Sequence, residues 1–263
     1  FYQQTLGLRL PQFNEVAKDE EPFSLDALRR YFYLDEILDA NINEQPLSTE
    51  QILQRGELPQ ANVGSLIFEG MEHRVDALAG QVKEQIKGGK SEPIEVALQI
   101  ENTKIEGWLN HIYLQKQVFY RSASIKAKDL IKGFIYHLAA QSMDQNVETL
   151  LLGLDKQISY APISKADADA LLSDWFELYK ALRKEPIPFF PVSGYEYVKS
   201  GGDIGKAMGK FSPQYIGRGE GENPYIRLTV QSLNDCQEEF IKWSDKLLAP
   251  LFEHAKESDH ASA

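Results

Sequence analysis

The sequence predicts an α/β (α+β) domain with a central mixed sheet flanked by helices. Three observations carry this. Apolar residues recur at helical spacing through residues 1–90. They alternate strictly with polar ones in "PIEVALQIE" at 93–101, and shorter apolar runs follow. Helical spacing then returns from residue 164. Helices, strands, one helix, two strands and helices again fit one layered domain. The 263 residues read as a single domain with a helical lead-in (1–90), a sheet core (91–163) and a helical C-terminal part (164–263).

Each element has a local cause. Residues 1–10 suggest a short helix, and 11–22 an acidic connector. Ser24 is placed to cap a helix over 24–40, with Asp26 in its first turn. Ser48 and Gln51 form a capping-box pattern, and Gly56 ends that short helix. A longer helix spans 64–86 and stops at Gly88-Gly89. Residues 94–101, 104–114 and 117–124 then read as a three-stranded meander, with a tight turn at Asn102-Thr103. A helix over 126–141 packs through Leu130, Phe134 and Leu138, and two short strands lie at 147–154 and 156–163. Ser164 caps the next helix, which ends before Pro186. "EPIPFFP" is a stiff connector, and 193–221 is Gly-rich. The last long helix covers 233–255, and the tail beyond it is expected to fray.

Composition narrows the function. The net charge is −11, from 28 Lys and Arg against 39 Asp and Glu, which disfavours a self-sufficient nucleic-acid binder. Cys236 is alone, so no internal disulfide forms and a cytoplasmic setting is the natural reading. No apolar run is long enough to span a membrane. The chain begins at Phe1 rather than Met and reads as a piece of a longer protein.

Most chemical motifs are absent. The five histidines show no metal-ligand spacing. "GGDIGKA" at 201–207 is one residue too short for a phosphate loop and has Ala207 where a magnesium-holding hydroxyl belongs, so it reads as a loop and helix start. "GRGEG" at 217–221 lacks the preceding strand of a dinucleotide site.

The meander followed by a helix resembles the core of the PD-(D/E)XK nucleases. In that fold an Asp on one strand and an acidic-x-Lys triplet on the next hold magnesium and orient the attacking water. "IEGWLNHIYLQKQVFYRSASIK" is similar to this part of the RecB-like nucleases. The resemblance puts Asn110 at the metal Asp position, Phe119 at the acidic position and Arg121 at the Lys position. No Lys in the chain has Asp or Glu two positions before it. The expectation is a catalytically degenerate site, with no catalytic and no metal-binding residue.

The chain as a whole resembles the C-terminal region of RecC, the gamma chains of exodeoxyribonuclease V. Glu21, Pro22, Phe23, Leu25, Leu28, Arg30 and Tyr31 match one block of that family, and "GELPQANVGSLIFE" the next. Ile105, Gly107, Trp108 and Leu109 carry its I-x-G-W-L pattern. "SPQYIGRGEG" and "LLAPLF" match near the end. The resemblance implies a non-catalytic, nuclease-like scaffold in a helicase–nuclease that processes double-strand ends. It implies RecB-like and RecD-like partners, contact with DNA, and no cofactor in this domain, since magnesium and ATP are used by the partner subunits.

One local feature bears on DNA directly. Residues 116–132 carry Lys116, Arg121, Lys126, Lys128 and Lys132 against Asp129 alone, a net +4 in a chain of −11. These cations are candidate phosphate contacts, or else a solvated helix face. Tyr113, Phe119 and Tyr120 are candidates for base stacking or for the core. Two other readings stay open: a metal nuclease rearranged around Glu101 and Glu106, and a pure assembly module.

Overall fold

The computed structural model describes residues 1–10, 25–56, 58–59, 62–212 and 219–259. The expected acidic connector, the Ser24 cap and most of "SPQYIGRGEG" lie outside them. Residues 1–10 form turns rather than a helix.

The first helix, α1 (Ala27–Ile42), begins two residues later than a Ser24 cap would require. Asp26 is its N-cap and accepts the Arg29 backbone N–H at 2.8 Å. The Ser48–Gln51 capping box starts α2 (Thr49–Leu53), and Gly56 ends the turn after it at φ 71°. The long helix α3 is Asn62–Ile86. Tyr33, Leu34, Ile37 and Leu38 of α1 pack with Phe68, Met71 and Val75 of α3 in one buried cluster.

The expected meander divides in two. β1 (Ile94–Ile100) and β2 (Thr103–Leu109) form a separate antiparallel hairpin, with the turn at Glu101-Asn102, one residue earlier than expected. The run 104–114 is interrupted at His111, whose backbone takes φ 62°. That left-handed residue re-aims the chain and breaks the ladder. Ile112–Tyr113 then form β3, which pairs with β4 (Lys116–Tyr120) in a second sheet.

This second sheet has five strands in the order β3-β4-β5-β6-β7, where β5 is Glu148–Leu152, β6 Lys156–Tyr160 and β7 Ala255–Asp259. β4 and β5 are parallel and the other pairs antiparallel, so the sheet is mixed as expected. The helix between β4 and β5 is α4 (Ala127–Ser142). The tail that was expected to fray supplies the edge strand β7 through residue 259. Backbone pairing to β6 holds it, together with Lys156 Nζ on Glu257 at 3.0 Å.

Alternation divides the sheet between two cores. Val118, Leu150 and Leu152 face α1 and α3. Leu151, Ile158 and Tyr160 face α4 and two later helices, α5 (Lys165–Lys184) and α8 (Gln237–His254). Ser164 caps α5 as expected.

Within 193–221 the glycines did not prevent helix. That stretch contains most of α6 (Pro191–Lys199) and all of α7 (Ile204–Phe211), the latter capped by Asp203. Gly194 lets α6 approach α8, since a Cβ there would stand 2.8 Å from Leu248. Phe190 at the α6 N-cap position has no side-chain cap bond. Glu220 fills that role from far along the chain. Its carboxylate accepts the Val192 N–H at 3.0 Å, and the Ser193 N–H and Oγ–H at 2.7 Å each. Glu220→Ala should lower stability by about 2 kcal/mol in urea unfolding. A loss below about 0.5 kcal/mol would mean that water replaces the cap.

Candidate functional site

Of the three positions expected to be a degenerate nuclease centre, Phe119 and Arg121 meet at the C-terminal end of β4, whereas Asn110 lies outside the cavity there. Parallel pairing with β5 continues one bond past the strand, Arg121 N–H to Leu152 O at 3.0 Å. This places Phe119 and Arg121 on the side of the sheet that faces α4. Both line a small cavity of about 110 Å³, closed by Asp129, Lys132 and Gly133 of α4. Gly133 leaves room there for Leu151, whose side chain would have to shift from a Cβ standing 2.8 Å away.

The chemistry in this cavity differs from that of a metal site. The Arg121 guanidinium pairs with the Asp129 carboxylate and lies 5.9 Å from the Tyr31 ring centre. The same Asp129 accepts the Lys126 backbone N–H at 2.9 Å, which starts α4. Phe119 meets Tyr136 edge-on at 5.7 Å, and Lys132 Nζ lies 5.7 Å and 5.9 Å from the two ring centres. Phe119, the residue expected at the acidic position, is therefore an aromatic ring that holds a cation.

Asn110 stands on the break between β2 and β3 and is exposed. Its backbone carbonyl accepts Gln117 Nε2 at 3.1 Å. The next residue, His111, carries its ring to 6.1 Å from Phe119. Burial, and then the cations of Lys90 and Lys132, hold the His111 pKa below its ordinary value. Lys90 and Lys132 oppose a positive charge on this ring, while Asp39 favours one. Among the described residues no three His, Cys, Asp or Glu side chains gather in a metal-binding arrangement. Glu101 is bound by Lys180 at 2.6 Å and Glu106 by Lys104 at 2.6 Å.

The five candidate phosphate contacts separate into two groups. Lys116 is half-buried and donates to Gln85 Oε1 at 2.8 Å, and Arg121 is held by Asp129. Lys126, Lys128 and Lys132 are exposed on the first turns of α4. Tyr113 and Tyr120 pack against the α1–α3 core, so the core reading applies to them. Tyr120 also donates to Asp39 at 3.1 Å, and burial raises its pKa. Trp108 on β2 is 57% exposed.

Sequence reasoning missed Asp129, Tyr136 and His111 as members of the site. Asp129 stands three residues after Lys126, a capping-box spacing, but Lys is not a capping residue, so the pattern gave no signal. Tyr136 and His111 reach Phe119 only through the tertiary fold.

Residues 1–202 match the family model described as the RecC C-terminal domain. The chain belongs to the RecC C-terminal domain family. It is similar to the RecBCD enzyme subunit RecC of Escherichia coli K12, at 26% identity over 274 residues, covering 96% of this chain and 24% of that protein. It is also similar to the RecBCD enzyme subunit RecC of Buchnera aphidicola, at 23% identity over 201 residues, covering 75% of this chain and 18% of that protein. The chain thus spans about a quarter or less of the length of these RecC relatives. The family match includes β1 to β6 and α4, and hence the whole cavity at the end of β4. No helix among the described residues is long and apolar enough to cross a membrane.

Proposed function

We propose that this domain is a non-catalytic, nuclease-like scaffold within a RecBCD-type helicase–nuclease. In this reading it assists duplex splitting, guides the separated strands and joins RecB-like and RecD-like subunits during double-strand-break processing. The observation that supports it most is the exchange of charge around β4. Where a PD-(D/E)XK enzyme needs two carboxylates and a Lys, this chain has Asn110, Phe119 and an Arg121 bound to Asp129. The cavity then has no acidic pair to hold magnesium, and any hydrolysis and ATP use belong to partner subunits.

In this proposal the phosphate contacts are Lys126, Lys128 and Lys132, which stand exposed beside the cavity. Arg121 stands in the cavity with its charged end held by Asp129, and Lys116 is engaged instead by Gln85 of α3. Changing the three exposed lysines together to Glu, in the assembled complex, should weaken binding of forked DNA about tenfold at 0.1 M salt. It should also flatten the dependence of affinity on salt. Unchanged binding and unwinding would favour the assembly module. Cleavage of linear DNA by the purified domain with magnesium, abolished by Glu106→Ala, would sink the scaffold reading.

A further inference from the structure

β1 pairs with β2 alone, so one edge of the small sheet is open. The two-residue turn at Glu101-Asn102 makes Ile100 and Thr103 a hydrogen-bonded pair. Glu95, Ala97 and Gln99 therefore turn their N–H and C=O groups away from β2. Among the described residues no backbone group bonds to them on that side. Natural edges are usually blunted by a bulge, a Pro or charges along the strand. This one is seven residues of unbroken register, with no Pro and Glu95 as its one charge.

The strand also borders a groove. A cavity of about 600 Å³ lies between residues 97–101, the end of β1 and the first residue of its turn, and the facing ends of α4 and α5. Leu98, Met143 and Leu172 give it an apolar floor, and Glu101, Asp144 and Asp169 stand around it with Lys165, Glu101 being already bound by Lys180 at 2.6 Å. That Lys165 ammonium already donates to the Ser142 carbonyl at the end of α4 and lies 3.7 Å from Asp169. The groove thus holds a cation of the chain's own at a helix C-terminus, where the backbone favours positive charge.

We infer that this groove is a strand-addition site for an extended, basic segment of a protein partner. The segment adds to the free edge of β1, places alternate apolar side chains over Leu98 and Leu172, and sets its cations against Asp144 and Asp169. The surface lies apart from Lys126, Lys128 and Lys132 and adds a peptide site to the scaffold reading. It rests on that reading only for the expectation that the segment belongs to another subunit.

The test uses the full-length protein and a labelled, end-blocked hexapeptide of alternating lysine and valine, followed by fluorescence anisotropy. Binding is expected, and a glutamate–valine peptide should not bind. Methylating alternate peptide nitrogens should abolish binding, since it removes the ladder donors. Ala97→Pro should do the same, and the strand should tolerate it because that N–H faces outward. Asp144→Asn with Asp169→Asn leaves the backbone alone and should weaken binding about fivefold. Absence of binding, equal affinity for the acidic or methylated peptide, or indifference to the Asn pair would each overturn the inference. So would a self-association that Ala97→Pro abolishes, because the edge would then serve a second copy. None of these outcomes bears on the lysine test for DNA, so the two readings fail separately.

Discussion

Replacing Phe134 with Ala should lower the unfolding free energy by about 3–5 kcal/mol. The ring is fully buried on α4, 5.2 Å from the Tyr160 ring and 6.1 Å from that of His254. It joins the helix to β6 and to the end of α8 at one point. Truncation removes the transfer energy of the ring and leaves a hole whose walls are strands and helices that cannot collapse. Phe134→Leu should cost roughly 1–2 kcal/mol, since it keeps much of the volume. Urea unfolding with an unchanged slope would assign the loss to the native packing. Less than about 1 kcal/mol for the Ala variant would mean that α4 does not sit on the sheet as described. The same helix carries Lys132, Asp129 and Gly133, so the cavity at the end of β4 depends on this ring for its shape.

Stability should also fall steeply as pH drops below neutrality, and His137 should account for much of the slope. Its ring is buried and lies 3.1 Å from Thr149 Oγ1. Burial is the main cause that pushes its pKa down to about 4; nearby His254 adds to the shift and the Ala161 backbone opposes it. In the unfolded chain the group titrates near 6.5. Between these values the unfolded state binds the proton and the native state does not, so stability rises with pH. The contribution is complete above about pH 6.5 and is lost as pH falls toward about 4, by about 3 kcal/mol. Urea midpoints measured from pH 7 to pH 4 would show this, and His137→Gln should flatten the profile. An identical slope in the variant would move the effect to other groups.

What was legible in the sequence followed local rules. The Ser48–Gln51 box, the Ser164 cap and the glycine stop after α2 appear where their spacing put them. The alternation in β1 and the runs for β5 and β6 were equally plain, because a half-buried or central strand writes its burial into its residues. The division of the meander was not legible. It turns on His111, and the modest preference of His for the left-handed region is too weak to mark a break in a strand pattern. Helix in the Gly-rich stretch was missed for the opposite reason. Its glycines serve packing, as Gly194 does against α8, and Glu220 supplies the missing cap from outside. At the candidate site, the resemblance to a nuclease pattern pointed to Asn110, Phe119 and Arg121, of which Phe119 and Arg121 line the cavity. Their companions Asp129, Tyr136 and His111 lie on other elements and are brought in only by the tertiary fold.

The edge strand β7 sets a condition on the order of folding. Lys156 and Glu257, which meet across β6 and β7, are 101 residues apart in the chain. The five-stranded sheet cannot close until residues 255–259 have been synthesised, because among the described residues no earlier strand pairs with that edge of β6. Until then a growing chain carries β6 with one row of backbone groups uncovered, the state most open to pairing with another nascent copy. Loop closure over that distance also makes the last pairing slow relative to the helices around it. The helical layers are therefore expected to form first, with the arrival of β7 completing the sheet.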